Sequence, residues 1–304
     1  MADTAAGSSR EQRLAALNVA VIGAGRIGTS LLRNLARIGV RRVDVFESDP
    51  TVADALRDEH TVHLGDFWDT LTLARLRDYD FAVCTVDDAQ ARVRMNQKCL
   101  VANVNLVQAW AEGGLAIAAA FPFGALEDGA CYECDAGRGA TPMPLASLKL
   151  SVDESPGDAV GDAAVVAGAL AAAIVARVAT GAHGAVARRA TLDTRSGAGG
   201  SVELRRDADC PRCRGLARPV PIVQTRNRWS VSSQVAATCP ETLDQSLELS
   251  DALADLPGHS FRVGELVERF GGGAIPAKFA LTVVDGRVVC LDFEDVHGAG
   301  PPRG

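Results

Sequence analysis

The chain has 304 residues, 47% of them hydrophobic, enough to bury a sizeable core in one large or two modest domains without covalent staples. A formal net charge of −7 and a pI near 5.3 speak against a surface built for phosphate backbones, so nucleic acid is not an expected partner. Of the 31 Lys plus Arg only Lys98, Lys149 and Lys278 are lysines, a skew of base composition rather than of chemistry.

The first dozen residues are small and polar, with no apolar core before a cleavage site, so no secretory signal is expected and the chain reads as cytosolic. The most apolar run, 163–178, includes Arg177 and falls short of the roughly 20 residues a membrane span needs. It reads as a buried helix, and no membrane partner is expected. Eight cysteines in a reducing compartment point to metal binding or core packing rather than a disulfide framework.

Residues 1–16 read as a flexible or helical leader. The segment LNVAVI (17–22) is a short β-branched strand, followed directly by Gly23-Ala-Gly-Arg-Ile-Gly28. Leu31, Leu32, Leu35 and Ile38 then recur at helical spacing over 29–38. A second strand, 42–46, ends in Glu47-Ser-Asp-Pro50, and 61–64 and 81–85 add further short strands separated by helical stretches. Such alternation implies a parallel sheet. Two more apolar segments, NVNLVQAW and GLAIAAAF, lie within 101–123 and end in the turn Pro122-Phe-Gly-Ala125. The Gly-, Pro-, Ser- and Asp-rich stretch 136–162 reads as a loop before the long helix. After Cys213 the chain offers a strand-like SVSSQVAAT, an acidic helix near 247–256 and a hairpin FALTVVDGRVVCLDFED turning at Asp285-Gly286. The expected organisation is a main domain over 17–218 and an appended α+β segment over 219–304.

Three groups of residues carry chemistry. In a Gly-x-Gly-x-x-Gly turn the first glycine makes the bend, the second lets phosphate approach the backbone and the third packs helix on strand; Gly23, Gly25 and Gly28 fit those places. Glu47, about 20 residues on at a strand end, is placed to accept bonds from ribose hydroxyls. The helix N-terminus suits the phosphates of NAD, FAD or ATP alike. The second group is Cys131-Tyr-Glu-Cys134 and Cys210-Pro-Arg-Cys213, two C-x-x-C knuckles suited to a closed, structural, tetrahedral zinc site. Cys84, Cys99, Cys239 and Cys290 sit in mostly apolar contexts as small buried hydrophobes, and the five histidines form no triad. The third is Thr85-Val-Asp-Asp-Ala-Gln-Ala-Arg92, after a strand whose C-terminal end should face the ligand. There Asp87 can hold magnesium or position a reacting carboxylate, and Arg92 can neutralise phosphate charge; the plainer alternative is a helix-capping Asp beside an exposed Arg.

In this order, over about 17–215, the motifs resemble the ThiF/MoeB/HesA family, relatives of ubiquitin-activating enzymes. The resemblance implies a Rossmann-like, doubly wound, mainly parallel α/β sheet with a structural zinc site. It also implies that Gly23, Gly25 and Gly28 hold nucleotide phosphates, Glu47 the ribose and Asp49 the adjoining site, with Asp87 and Arg92 catalytic and Cys131, Cys134, Cys210 and Cys213 on zinc. Such enzymes use ATP and Mg²⁺ to adenylate the C-terminal carboxylate of a carrier protein or peptide in sulfur-transfer or natural-product chemistry, as homodimers. The chain lacks the family's Asn-x-x-Arg-Gln segment and following Lys across 51–64, so Arg26, Arg92, Arg94 or Lys98 would have to oppose the triphosphate charge. Without such cations the chain would be a binding or scaffold subunit. Locally, 39–88 also resembles the ligand-sensing Rossmann domains of potassium-transport regulators or NAD-dependent proteins, which implies an NAD-dependent redox or sensor role.

Overall fold

The computed structural model describes residues 9–124, 129–136, 159–182, 186–210, 213, 216, 219–220, 222–224, 279–284 and 287–292. The SVSSQVAAT segment, the acidic helix near 247–256, most of the loop 136–162, the turn Asp285-Gly286, Cys239, His183, His259 and His297 lie outside them. The chain separates into two compact units, Met1–Cys210 and Pro211–Gly304.

The first unit is a Rossmann-like α/β sheet. Its parallel part has the order β3 (Thr61–Leu64), β2 (Arg42–Glu47), β1 (Asn18–Ile22), β4 (Phe81–Cys84), β5 (Asn105–Glu112). Central strands covered on both faces need apolar side chains throughout rather than alternation. Thus Val19, Ala20, Val21 and Ile22 of β1 and all of FAVC in β4 are buried, whereas no residue of the edge strand β3 is fully buried. The two segments within 101–123 become β5 and β6 (Leu115–Phe121), an antiparallel pair turning at Gly113 and Gly114, whose φ angles are +55° and +94°.

Beyond β6 the sheet continues antiparallel through β7 (Arg188–Asp193) and β8 (Gly199–Glu203), two strands that the sequence pattern does not announce. RRATLD carries three charges and GGSVE two glycines, both weak strand formers. What makes them strands is the otherwise open edge of the strongly apolar β6.

Helix α1 (Arg10–Ala16) is capped by Ser9, which with Gln12 forms a reciprocal capping box, and buries Leu14 in the core. Helix α2 (Arg26–Arg37) follows the glycine turn and buries Ile27, Leu31, Leu32 and Leu35. Short helices α3 (Pro50–Leu56), α4 (Phe67–Thr70) and α5 (Leu73–Leu76) link the next strands, capped by Asp49, Asp66 and Thr72 respectively. Helix α6 (Ala89–Ala102) joins β4 to β5 and ends at Asn103 in the left-handed conformation. Helix α7 (Tyr132–Ala136) carries Cys134.

Helix α8 (Ala159–Ala179) is longer than the apolar run suggests, with 21 residues, and 161–179 is long and apolar enough to cross a membrane. Here it packs on α2, β5 and β6, with Ala163, Ala167, Ala171 and Val175 wholly buried. Its alanines allow a close approach. At Gly168 a Cβ would sit 2.7 Å from Ser30 Cβ and 2.8 Å from the Leu31 nitrogen, so the α2–α8 crossing requires glycine there.

In the second unit β9 (Ile222–Gln224) pairs parallel with β11 (Arg287–Asp292), which pairs antiparallel with β10 (Phe279–Val284). Val284 stands opposite Arg287, as the expected hairpin requires.

Candidate functional site

A cleft of about 590 Å³ opens at the C-terminal ends of β1, β2 and β4, where an open parallel sheet takes its ligands. Gly23, Gly25, Arg26, Glu47, Asp49 and Asp87 of the expected set all line it.

Each glycine has its own physical requirement. Gly23 adopts φ +84°, and a Cβ there would come within 3.0 Å of Val86. A Cβ on Gly28 would collide with the Gly23 carbonyl, which is the helix-on-strand approach. Gly25 differs, because nothing in the protein lies within 4 Å of where its Cβ would be. Space is open in front of that residue, at the N-cap of α2, where unpaired amides favour an anion.

Side chains hold the turn in place. Thr85 Oγ1 donates to the carbonyls of Ile22 (3.2 Å) and Gly23 (2.7 Å), tying β4 to the glycine turn. The buried Glu47 carboxylate accepts from the amides of Ala24 (2.6 Å), Ser48 (2.7 Å) and Asp49 (2.9 Å). Its oxygens still line the cleft, but their orientation is set by the backbone rather than by a ligand. Asp49 in turn accepts from the Thr51 and Val52 amides at the start of α3.

After β4 the two adjacent acids divide their roles. Asp88 is the N-cap of α6, accepting from Gln90 and Ala91, which leaves Asp87 uncapped with 82% of its side chain exposed in the cleft. Arg92 is not an exposed partner. It is 3% exposed, lies 3.9 Å from Asp87, and donates to the Val86 carbonyl (3.4 Å) and the Tyr132 hydroxyl (3.5 Å). Its guanidinium also stands over the Trp110 ring, 5.2 Å from the centroid.

Lys98 is fully buried on the same helix. Its ammonium donates to the carbonyls of Trp68 and Leu71 and stands 4.8 Å from the centroid of the Trp68 ring. The structure therefore brings neither Arg92 nor Lys98 to the cleft lining; helical phase turns both inward. Of the four cations expected to face a triphosphate, Arg26 and Arg94 line the cleft.

Sequence reading passed over Gly65-Asp66-Phe67, which also line the cleft. Gly65, with φ +132°, donates its amide to the Glu47 carbonyl at 2.9 Å. A Gly-Asp pair directly after a strand was the available signal.

The four knuckle cysteines converge. Cys131 Sγ lies 3.7 Å from both Cys134 and Cys210, and all four sulfurs, Cys213 included, lie within 4.8 Å of one another and are buried. Bonds of ~2.3 Å to a tetrahedral zinc set sulfurs about 3.8 Å apart, so the donor set fits that ion, and the separations are too long for disulfides. Asn96 of α6, which follows the Thr85–Arg92 segment in the sequence, fastens this knuckle: it accepts from the Tyr132 amide (3.0 Å) and donates to Glu133 (3.1 Å). The remaining described thiols, Cys84, Cys99 and Cys290, are buried. Burial pushes Cys84 up to about 11 and Cys99 well above the ordinary thiol value, unsuited to nucleophiles.

The TrkA-N domain family matches residues 19–111, a Rossmann segment that contains the glycine turn, Glu47 and Asp87. No curated protein matches the chain. Among solved structures the chain is similar to E. coli MccB with AMPCPP and MccA, at 20% identity over 68% of this chain and 69% of that one, TM-score 0.50. It is also similar to the microcin C7 biosynthetic enzyme MccB in complex with N-formylated MccA, at 18% identity over 67% and 69%, TM-score 0.50. The likeness is one of fold.

Proposed function

We propose that this chain binds ATP in the cleft and adenylates a carboxylate, the C-terminus of a carrier protein or peptide, acting in the cytosol as a homodimer. Residues 17–218 form the activating domain in this reading, with a structural zinc on the four cysteines. The observation that carries it is Asp87, released from helix capping by Asp88 and exposed in the cleft that the open face of Gly25 also lines. The likeness of fold to a biosynthetic enzyme crystallised with AMPCPP and MccA supports the same class of chemistry.

In that reaction a carboxylate oxygen attacks the α-phosphorus, the α–β P–O bond breaks, and pyrophosphate leaves. Charge grows on the phosphoryl oxygens, and Arg26 and Arg94 are the cations placed to oppose it. Asp87 would hold Mg²⁺, which supplies further charge neutralisation on the phosphates. Gly25 and the α2 amides take the phosphates, while Glu47 offers its fixed carboxylate to the ribose.

Calorimetry with Mg-ATP beside NAD, followed by ATP–pyrophosphate exchange with peptides bearing a free C-terminus, tests the proposal. Tight ATP binding with peptide-dependent exchange is expected, and Asp87→Ala should lower exchange by about 10²-fold or more without shifting Tm. The inward placement of Arg92 and Lys98 favours a second reading, a binding subunit without catalysis, which ATP binding without exchange would support. NAD binding in place of ATP would support a third reading, an NAD-dependent redox or sensor protein.

A further inference from the structure

A second groove, of about 740 Å³, runs between α2 and α3 and opens out of the cleft, since Gly25, Arg26 and Val52 line both. Its floor is apolar: Val52, Leu56 and, from α8, Val165, which is 55% exposed. Its rim carries Arg26, Arg33 and Arg37, and no acidic residue lines it. None of these arginines forms an ion pair among the described residues.

In a chain with a net charge of −7, a groove with three uncompensated positive charges over an apolar floor is a local reversal of sign. It complements a ligand that alternates carboxylates with apolar groups. A bare phosphate would have no use for the valine and leucine floor. From Arg26 to Arg37 the helix rises ~16 Å. That distance is matched by about five residues of extended peptide.

We infer that this groove docks the acidic, apolar stretch preceding the C-terminal carboxylate of the peptide substrate, the terminus entering the cleft past Gly25. This rests on the carboxylate-activating reading above. Arg33 and Arg37 then select the substrate by its acidic residues, while Arg26, at the junction, faces the phosphates.

The test uses the full chain and a fluorescein-labelled hexapeptide of alternating Glu and Leu with a free C-terminus, beside its Gln–Leu counterpart, read by anisotropy. The acidic peptide should bind at least tenfold tighter than the Gln peptide, and the double substitution Arg33→Glu, Arg37→Glu should erase that preference. Both side chains are exposed, so ATP affinity, measured in parallel by calorimetry, should stay within twofold of the parent. Equal binding of the two peptides, or a preference that survives the double substitution, overturns the inference. So does tighter, Arg33-dependent binding of a single-stranded oligonucleotide. Arginine-dependent binding of the acidic peptide without any ATP binding or exchange would sink the activating reading and leave the docking groove standing.

Discussion

The adjacent pair Asp87 and Asp88 shows how much one residue of register decides. Both are acidic and follow the same strand, yet Asp88 spends its carboxylate on two helix amides while Asp87 keeps its own in the cleft. The fully buried Cys84, at the end of β4, has a thiol pushed from the ordinary 9.0 up to about 11 by burial, a shift only partly offset by the Val86 amide. A thiol whose folded value is raised stabilises the fold fully below about pH 9 and loses that contribution as pH climbs through about 11. The urea midpoint should therefore fall over that interval, and fall less in Cys84→Ala; an identical fall in the variant would contradict this assignment. At neutral pH native Cys84 should resist iodoacetamide.

Among elements, the crossing of α2 and α8 governs the cleft, because α2 directly follows the glycine turn and carries the arginine rim. Ser30 Oγ donates to the Val165 carbonyl at 2.6 Å, and Gly168 lies against the α2 backbone. Gly168→Ala would force the helices apart and should cost about 1–3 kcal/mol, read as a lower Tm in calorimetry. A larger side chain should cost more. An unchanged Tm would mean the helices can slide without penalty. The strong apolar run of α8 was legible as a buried helix, but its partner was not. The heptad-like spacing of Arg26, Arg33 and Arg37 along α2 was equally present in the sequence; only the neighbouring α3 and Val165 turn it into a groove.

Across the whole molecule, the cysteine cluster is the feature most open to direct measurement. One zinc per chain is expected by metal analysis, and its removal by a strong chelator should lower Tm, with Cys131→Ser reproducing the loss. A chain that purifies without metal and with unchanged Tm after chelation would make the cluster mere packing. The sequence alone settled what depends on local spacing: the strand, glycine turn and helix, the alternation that makes a parallel sheet, and the pairing of two C-x-x-C knuckles. Those features hold because glycine conformations, hydrophobic periodicity and ligand spacing are properties of short segments. Tertiary structure decided which way long side chains on α6 point. Arg92 and Lys98 looked like phosphate cations by their nearness in sequence to Asp87, but the helix turns them to Tyr132, Trp110 and Trp68, where carbonyls and aromatic faces hold their charge. The same holds for β7 and β8, whose polar residues become strands because β6 presents an edge to be paired. Such outcomes depend on partners distant in the chain, and no local pattern encodes them.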